Sequence, residues 1–421
     1  MKLKKLNFSI GKKEFNELKK ETNNFIDVLK RHVGKNRVNA DVFLGGSFAK
    51  GTLAKAEEYD ADIFVRFDWK YEDLSAQLEK ILKGVVKELG LKIKKIHGSR
   101  DYFKVWKNKM LTFEVIPVLR IKKVQEARNV TDLSYFHVNC VKRHLKGKMK
   151  EQLALAKKFF KANGIYGAES YIHGFSGYGL ECLIIHYKSF EKLLKELIKV
   201  KDKRVVIDSA KHYRKKDNVF FELNESKLHS PIILVDPTWK ERNVLASLNW
   251  ETFRKFQDTA RNFIKNPSEK FFYGRKVDIE NLKKKGEFLH IILETNRQEG
   301  DIAGTKMKKF SGFLVREIEK YFNILEREFF YQGEGQKADV YLVLKSRGEV
   351  IRIGPPLKME KDVKRFRARN KKTFVKNGVL HARVKIDFFG RVFVKKWARS
   401  KEGKMKMGGM GVVGLKVAEE L

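Results

Sequence analysis

The stretch LGGSFAKGTLAKAEEYDADIFVRF, residues 44–67, decides the reading of this chain. Its second half alternates as a strand does, so side chains two apart share a face. Asp60, Asp62, Phe64 and Arg66 point one way; Ala61, Ile63, Val65 and Phe67 point the other, into a core. Two carboxylates at that spacing repel each other unless a cation lies between them. A divalent metal does this better than lysine, and Mg²⁺ prefers hard oxygen ligands that it shares with phosphate. Upstream, Gly45-Gly46-Ser47 predicts a tight turn whose backbone can approach a ligand closely. Backbone N–H groups there, with the Ser47 hydroxyl and Lys50, can hold a triphosphate. A third acid on a neighbouring strand would complete a site for two ions, and Glu114, alone among apolar residues in LTFEVIPVL, is the candidate.

Outward from this stretch, residues 12 to about 33 read as a basic amphipathic helix, with Phe15, Leu18, Phe25, Val28 and Leu29 near helical spacing. NADVFLGGS, ADIFVRFDW, LKIKKIHGSRDYFKVW and MLTFEVIPVLRI supply strands, and SAQLEKILKGVVKELG is a helix ending at a glycine. The first 120 residues therefore predict a small α+β unit. Residues 133 to about 265 are mainly helical, in EQLALAKKFFKANG, YGLECLIIHYKSFEKLLKELIKV and NWETFRKFQDTARNFIKNP, interrupted by a short strand in SPIILVDP. Beyond 266, GQKADVYLVLKS predicts a strand and KDVKRFRARN a basic helix. TFVKNGVLHARVKIDFFGRVFVKKW predicts two strand-turn-strand units, at Asn377-Gly378 and at Gly390. Basic residues alternate with Phe and Val there, which suits a nucleic-acid platform and a plain solvent-facing sheet equally.

The charge points to the class of partner. Among 421 residues, 91 are Lys or Arg against 52 acids, a formal charge of +39 spread over the whole length. Such a field favours a polyanion, with nucleic acid ahead of an anionic membrane surface. No run of 18 apolar residues exists, so a spanning helix is excluded. MKLKKLNFSIGKK is basic but lacks the apolar core and cleavage site of a signal peptide. Two cysteines, Cys140 and Cys182, make no disulfide framework. A reducing, cytoplasmic location is expected. His137, Cys140 and His144 give three zinc-type ligands at H-x2-C-x3-H spacing and no clear fourth, which argues against zinc.

G-S-x-x-K-G-T from Gly46, followed by D-x-D at Asp60 and Asp62 and a later strand acid, resembles the palm of the DNA polymerase β nucleotidyltransferase superfamily. ANGIYGAESYIHGFSGYGLECLIIHYKSFEKLL, TDLSYFHVNCV, VDPTWKERNVLASL and RIGPPLKMEKDVKRF narrow this. Together they closely resemble the archaeal, class I CCA-adding enzymes, which are tRNA nucleotidyltransferases; the likeness runs from about residue 40 to 370. The resemblance implies template-independent addition of C, C and A to the 3′ end of tRNA from CTP and ATP, with release of pyrophosphate. It implies an α+β architecture: a palm over 1–132 (a small mixed sheet with helices), a helical nucleotide- and tRNA-binding domain over 133–265, and a mixed α/β RNA-binding region over 266–421. Asp60, Asp62 and Glu114 fall at its catalytic, metal-binding carboxylates, with two Mg²⁺ ions expected. The family commonly shows E-x-D and then Asp, so Asp60 and Glu114 depart from it in side-chain length.

By the same resemblance, Ser47 and Lys50 fall at the triphosphate turn; His137, Lys157 and Tyr166 match residues that contact the incoming nucleotide. Arg242 matches an arginine implicated in reading the base, and His97 a further active-site position. The implied partners are the tRNA acceptor stem and 3′ end, CTP and ATP, and no membrane. The sequence does not set the number of subunits; a homodimer is one state open to it. Two other functions stay open: a poly(A) or oligoadenylate polymerase on the same palm, and a non-catalytic RNA-binding protein.

Overall fold

The computed structural model describes residues 6–98, 100–274, 278–296 and 299–418. The chain forms two compact units, Met1–Arg275 and Lys276–Leu421.

In the first unit, helix α1 (Lys12–Lys35) precedes strand β1 (Ala40–Leu44), and a five-residue helix α2 (Gly46–Lys50) takes up the Gly-Gly-Ser turn. Strand β2 (Tyr59–Phe67), helix α3 (Leu74–Leu89), and strands β3 (Lys92–Ile96), β4 (Tyr102–Trp106) and β5 (Leu111–Leu119) follow. They build one sheet in the order β1-β2-β5-β4-β3, in which β2 and β5 run parallel and the other pairs antiparallel. The expected alternation along β2 holds: Ala61, Ile63, Val65 and Phe67 are fully buried. They meet Phe25 and Leu29 of α1 and Leu78, Ile81 and Leu82 of α3, with Phe25 stacked on Phe113 at 4.2 Å between centroids. Helices thus cover one face of the sheet, and the face that carries the aspartates is left to other work. Asp73 caps α3 by accepting a hydrogen bond from Ala76 N.

A second core in this unit is built on phenylalanine. Helices α4 (Ser134–His144), α5 (Met149–Ala162), α6 (Gly177–Tyr187), α7 (Phe190–Leu197), α8 (Val219–Glu222) and α9 (Trp250–Lys265) supply most of the chain here. Phe159, Phe160, Phe175, Phe190, Phe253, Phe256, Phe263 and Phe272 are all fully buried together. The stretch YGLECLIIHYKSFEKLLKELIKV is two helices, not one. Lys188 turns left-handed at φ +66°, and the Ser189 side chain caps α7 by accepting from Lys192 N. The strand in SPIILVDP belongs to a small sheet, β6 (Val205–Ile207), β7 (Ile232–Asp236) and β8 (Trp239–Asn243), in that order. The expected cut between 132 and 133 falls inside this unit.

The second unit holds α10 (Ile279–Lys285), β9 (Glu287–Glu294), α11 (Gly300–Glu319), β10 (Phe322–Phe330) and β11 (Lys337–Ser346). Then come β12 (Glu349–Pro356), α12 (Glu360–Arg369), β13 (Thr373–Lys376), β14 (Val379–Lys385), α13 (Gly390–Arg399), α14 (Lys401–Gly409) and β15 (Gly414–Val417). Two sheets result, β10-β11-β9-β15 and β12-β14-β13. The Asn377-Gly378 turn closes the expected hairpin of β13 and β14, both residues at positive φ. The second expected turn, at Gly390, is wrong: Gly390 opens α13. Its N–H donates to Glu287 Oε2 at 2.7 Å, and a Cβ there would stand 2.3 Å from Leu344 Cδ1, so the glycine serves close packing. On one open face of β12-β14-β13, Phe374 stacks on His381, Arg383 lies over Phe374, and Ile351 and Ile353 are exposed beside them. No helix among the described residues is long and apolar enough to cross a membrane.

Candidate active site

The site grows from the face of the palm sheet opposite α1 and α3. Parallel pairing sets Asp60 beside Thr112 and Asp62 beside Glu114, so all three acids share that face. Neighbouring strands lie about 4.8 Å apart, which places Glu114 one strand from Asp62. On its other side Glu114 has Lys104 of β4 as register partner. Farther along the face Phe64 is buried with Ile116 and Val118, and this apolar patch separates the two aspartates from Arg66, which pairs with Asp41 at the far end of β2. Burial pushes the Asp62 carboxyl up to about 6, with Asp60 adding to the rise and Lys50 opposing it.

The turn before β2 is fitted to these acids. Gly45 N donates to the Asp62 carbonyl at 2.8 Å. Gly46 sits at φ +54°, and a Cβ on it would come within 1.7 Å of Asp62 Oδ2, so only glycine leaves that carboxylate its place. Ser47 follows on α2, its carbonyl accepting from Thr52 N at 2.9 Å.

These residues suit a divalent metal. Asp60 and Asp62 offer hard oxygens on one crowded face, and Mg²⁺ typically takes one or two protein carboxylates and completes its shell with water and phosphate. Among the described residues, no three His, Cys, Asp or Glu side chains are gathered into a full ligand set. The two aspartates offer a partial set of oxygen donors, of the kind an Mg²⁺ ion completes with water and phosphate, and Glu114 stands one strand away.

Two further carboxylates, neither anticipated from the sequence, gather the remaining candidates. The first is Glu181 of α6, only 2% exposed. Lys50 Nζ donates to Glu181 Oε2 at 2.7 Å, Thr52 Oγ1 donates to Oε1 at 3.0 Å, and Lys157 Nζ lies 3.6 Å from Oε1 while donating to the Thr52 carbonyl. Burial alone would raise the Glu181 carboxyl; Lys50 and Lys157 outweigh it and hold it below the ordinary range. The Lys157 ammonium is lowered by its own burial, which Glu181 partly offsets.

The second is Asp236, at the end of β7 and fully buried. Its Oδ2 accepts from Arg242 Nη1 at 2.7 Å and lies 3.1 Å from His137 Nε2. Its Oδ1 accepts from Tyr178 Oη, Thr238 N and Thr238 Oγ1 at 3.0, 2.8 and 2.7 Å. Burial opposes its ionisation, but these donors prevail and keep the carboxyl well below its usual range. Burial holds the His137 imidazole below its ordinary value, only partly countered by Asp236.

Tyr178 joins the two clusters. Its ring stacks on His137 with centroids 4.0 Å apart; Lys50 Nζ stands 5.5 Å and the Arg242 guanidinium 6.0 Å from its centroid. The Tyr166 hydroxyl approaches Gly177, the first residue of α6. Burial, with Glu181, Glu169 and Asp62 nearby, pushes its phenol above the ordinary range. Lys161, one turn beyond Lys157, has its ammonium lowered by burial, which the charge of Asp60 partly offsets. His97 is elsewhere: it is exposed after β3, with Nδ1 3.1 Å from Asp101 Oδ1, and meets none of the other candidates among the described residues.

Comparison with known proteins now bears on this geometry. A CCA-adding enzyme of Nanoarchaeum equitans is 35% identical over 372 residues, covering 87% of this chain and 88% of that protein. The chain belongs to the CCA-adding enzymes. Other CCA-adding enzymes match too: that of Saccharolobus solfataricus is 29% identical over 80% of this chain and 78% of its own, and that of Methanosarcina acetivorans 28% identical over 78% and 72%. Residues 23–128 match the family Nucleotidyltransferase domain, and residues 151–273 the family tRNA nucleotidyltransferase, second domain. The first span of this CCA-adding enzyme holds the three acids, Ser47, Lys50 and His97. The second holds Lys157, Tyr166, Tyr178, Glu181, Asp236 and Arg242. CCA-adding enzymes are nucleotidyltransferases, a class that generally works with divalent metal ions.

Proposed function

We propose that this CCA-adding enzyme builds C, C and A onto the 3′ end of tRNA from CTP and ATP, releasing pyrophosphate, with Asp60, Asp62 and Glu114 holding two Mg²⁺ ions. Bound there, magnesium supplies Lewis-acid charge that favours the ionised terminal hydroxyl of the RNA and the departing pyrophosphate. The protein's own share is positioning. The turn from Gly45 to Lys50 receives the triphosphate through its backbone, the Ser47 hydroxyl and Lys50. Lys157 and Tyr166 hold the same phosphates from the helical side, with Lys50 and Lys157 kept in place by Glu181. His137, neutral and set against Asp236, contacts the nucleotide next to Tyr178. Arg242 turns its planar fork to the base, since a guanidinium can meet acceptors on both C and A. His97, beside Asp101 after β3, takes no part in these contacts.

The second unit, with the Phe374–His381–Arg383 face, contacts the acceptor stem by stacking and phosphate charge. A reducing cytoplasm suits Cys140 and Cys182, both free thiols. The observation that carries this reading is the meeting of palm and helical residues around Tyr178 and Glu181, beside the acid face. The test offers purified protein Mg²⁺, labelled CTP or ATP, and tRNA transcripts ending before, within and after CCA. Ordered addition of two C and one A, and none to finished tRNA, is expected. ATP polymerisation on any RNA, or no incorporation, would overturn it.

A further inference from the structure

Asp236 holds His137, Tyr178, Thr238 and Arg242 at once, yet it has no place in the transfer itself. Every partner of its carboxylate is a side chain or backbone group of this chain: five contacts occupy two buried oxygens. Arg242 is the one partner with donors to spare. A guanidinium carries five N–H groups in one plane, and among the described residues Arg242 hydrogen-bonds only to Asp236, through Nη1. Holding one end of a planar fork fixes the direction of the rest. The remaining N–H groups are presented in one orientation, above Tyr178, whose own hydroxyl is tied to the other oxygen of the same carboxylate.

We propose that Asp236 is a positioning residue for nucleotide choice, fixing the Arg242 fork so that its free N–H groups meet only bases with acceptors in matching places. The inference rests on the reading of Arg242 as the group that faces the base. Asp236 touches no substrate; it acts through Arg242 and Tyr178. A loosened fork still supplies charge, so transfer continues while the distinction between right and wrong base fades. A fixed donor pair that loses its geometry gives up discrimination of about ten- to a hundredfold.

The test measures kcat and KM for CTP, ATP, UTP and GTP on tRNA transcripts ending before the first C and after the second. It uses the full-length wild type, Asp236→Asn, Arg242→Ala, the double variant, and Thr238→Val. The last removes one donor to Asp236 Oδ1 from a half-buried residue and leaves the Thr238 N–H bond in place. Asp236→Asn is expected to lower the ratio of correct to incorrect kcat/KM at least tenfold, chiefly through the KM of the correct nucleotide. KM for tRNA should stay within a fewfold. Thr238→Val should shift that ratio in the same direction by a smaller factor. The double variant should discriminate no worse than Arg242→Ala, because both act on one group.

Unaltered discrimination in Asp236→Asn, or, if that variant does not fold, in Thr238→Val, overturns the proposal. So does a double variant whose losses multiply. Wild type that adds no C or A fails the underlying function instead, and Arg242→Ala with full discrimination fails the base-reading role; these two results are separate from the first.

Discussion

Asp62 and Glu114 occupy the same rung of the parallel pairing between β2 and β5, so their carboxylates share one face of the sheet. Asp62→Asn is expected to lower kcat for C addition by about 100-fold or more, the scale of losing one charge-stabilising group. Affinity for tRNA should stay within a fewfold. Glu114→Gln should raise the Mg²⁺ needed for half-maximal rate by about 10- to 100-fold. Magnesium titrations of initial rate, started from chelator-treated enzyme that shows no turnover, check both. A Glu114→Gln enzyme with unchanged magnesium demand would remove that residue from the ligand set.

Gly46→Ala sets a methyl where Asp62 Oδ2 now lies and forces alanine to φ +54°. The left-handed conformation costs about 1–2 kcal/mol. The clash moves either the turn or the carboxylate, and a shift of about 1 Å in a reacting group can cost 100-fold in rate. Activity is therefore expected to fall far more than the melting temperature, as kinetics and thermal unfolding of the same preparation would reveal. A fully active alanine variant would mean that Asp62 tolerates displacement.

Removing Glu181 leaves two buried ammonium groups without their carboxylate. Glu181→Ala is expected to destabilise the protein by about 3–5 kcal/mol, the usual result of breaking a buried pair from one side. Urea unfolding measures it. Glu191→Ala, which breaks an exposed pair with Lys195, should stay within about 1 kcal/mol and serves as the comparison.

Protonation of His137 sets a pH dependence. Burial lowers the folded imidazole below its free value of 6.5, so the unfolded chain takes up this proton first. The stability tied to neutral His137 is thus fully present above that value and declines as the pH falls towards the folded one. Asp62, raised when folded, works in the opposite sense, so a difference between proteins isolates the histidine. The gap in melting temperature between wild type and His137→Asn is expected to narrow as pH is lowered from about 7 to about 5. A gap that widens on acidification would show that His137 is charged in the folded state.

Much of the palm was legible because a period of two is unambiguous when one face is apolar: Ala61, Ile63, Val65 and Phe67 mark the buried side without help from the rest of the chain. The rung that pairs Asp62 with Glu114 was not legible, since strand register is a long-range choice. Glu181 and Asp236 were missed although a signal existed. Each is a lone acid in an apolar run, GLECLII and IILVDP, the same pattern that drew attention to Glu114. An acid so placed needs a cation or several donors, and both have them. Gly390 misled because a glycine between strand-like residues has two uses, turning and close packing. Val394 and Trp397, three apart and buried, show that helical spacing governs there.

The bond between Lys50 and Glu181 is largely shielded from bulk salt, the two side chains being 9% and 2% exposed. The positive surface is screened within about 8–10 Å at ordinary ionic strength, and contacts to a polyanion weaken steeply as salt rises. Concentrated salt should therefore strip adhering nucleic acid from this enzyme while the seam between palm and helical core stays shut, giving a clean, intact preparation from a wash that loosens only its outside.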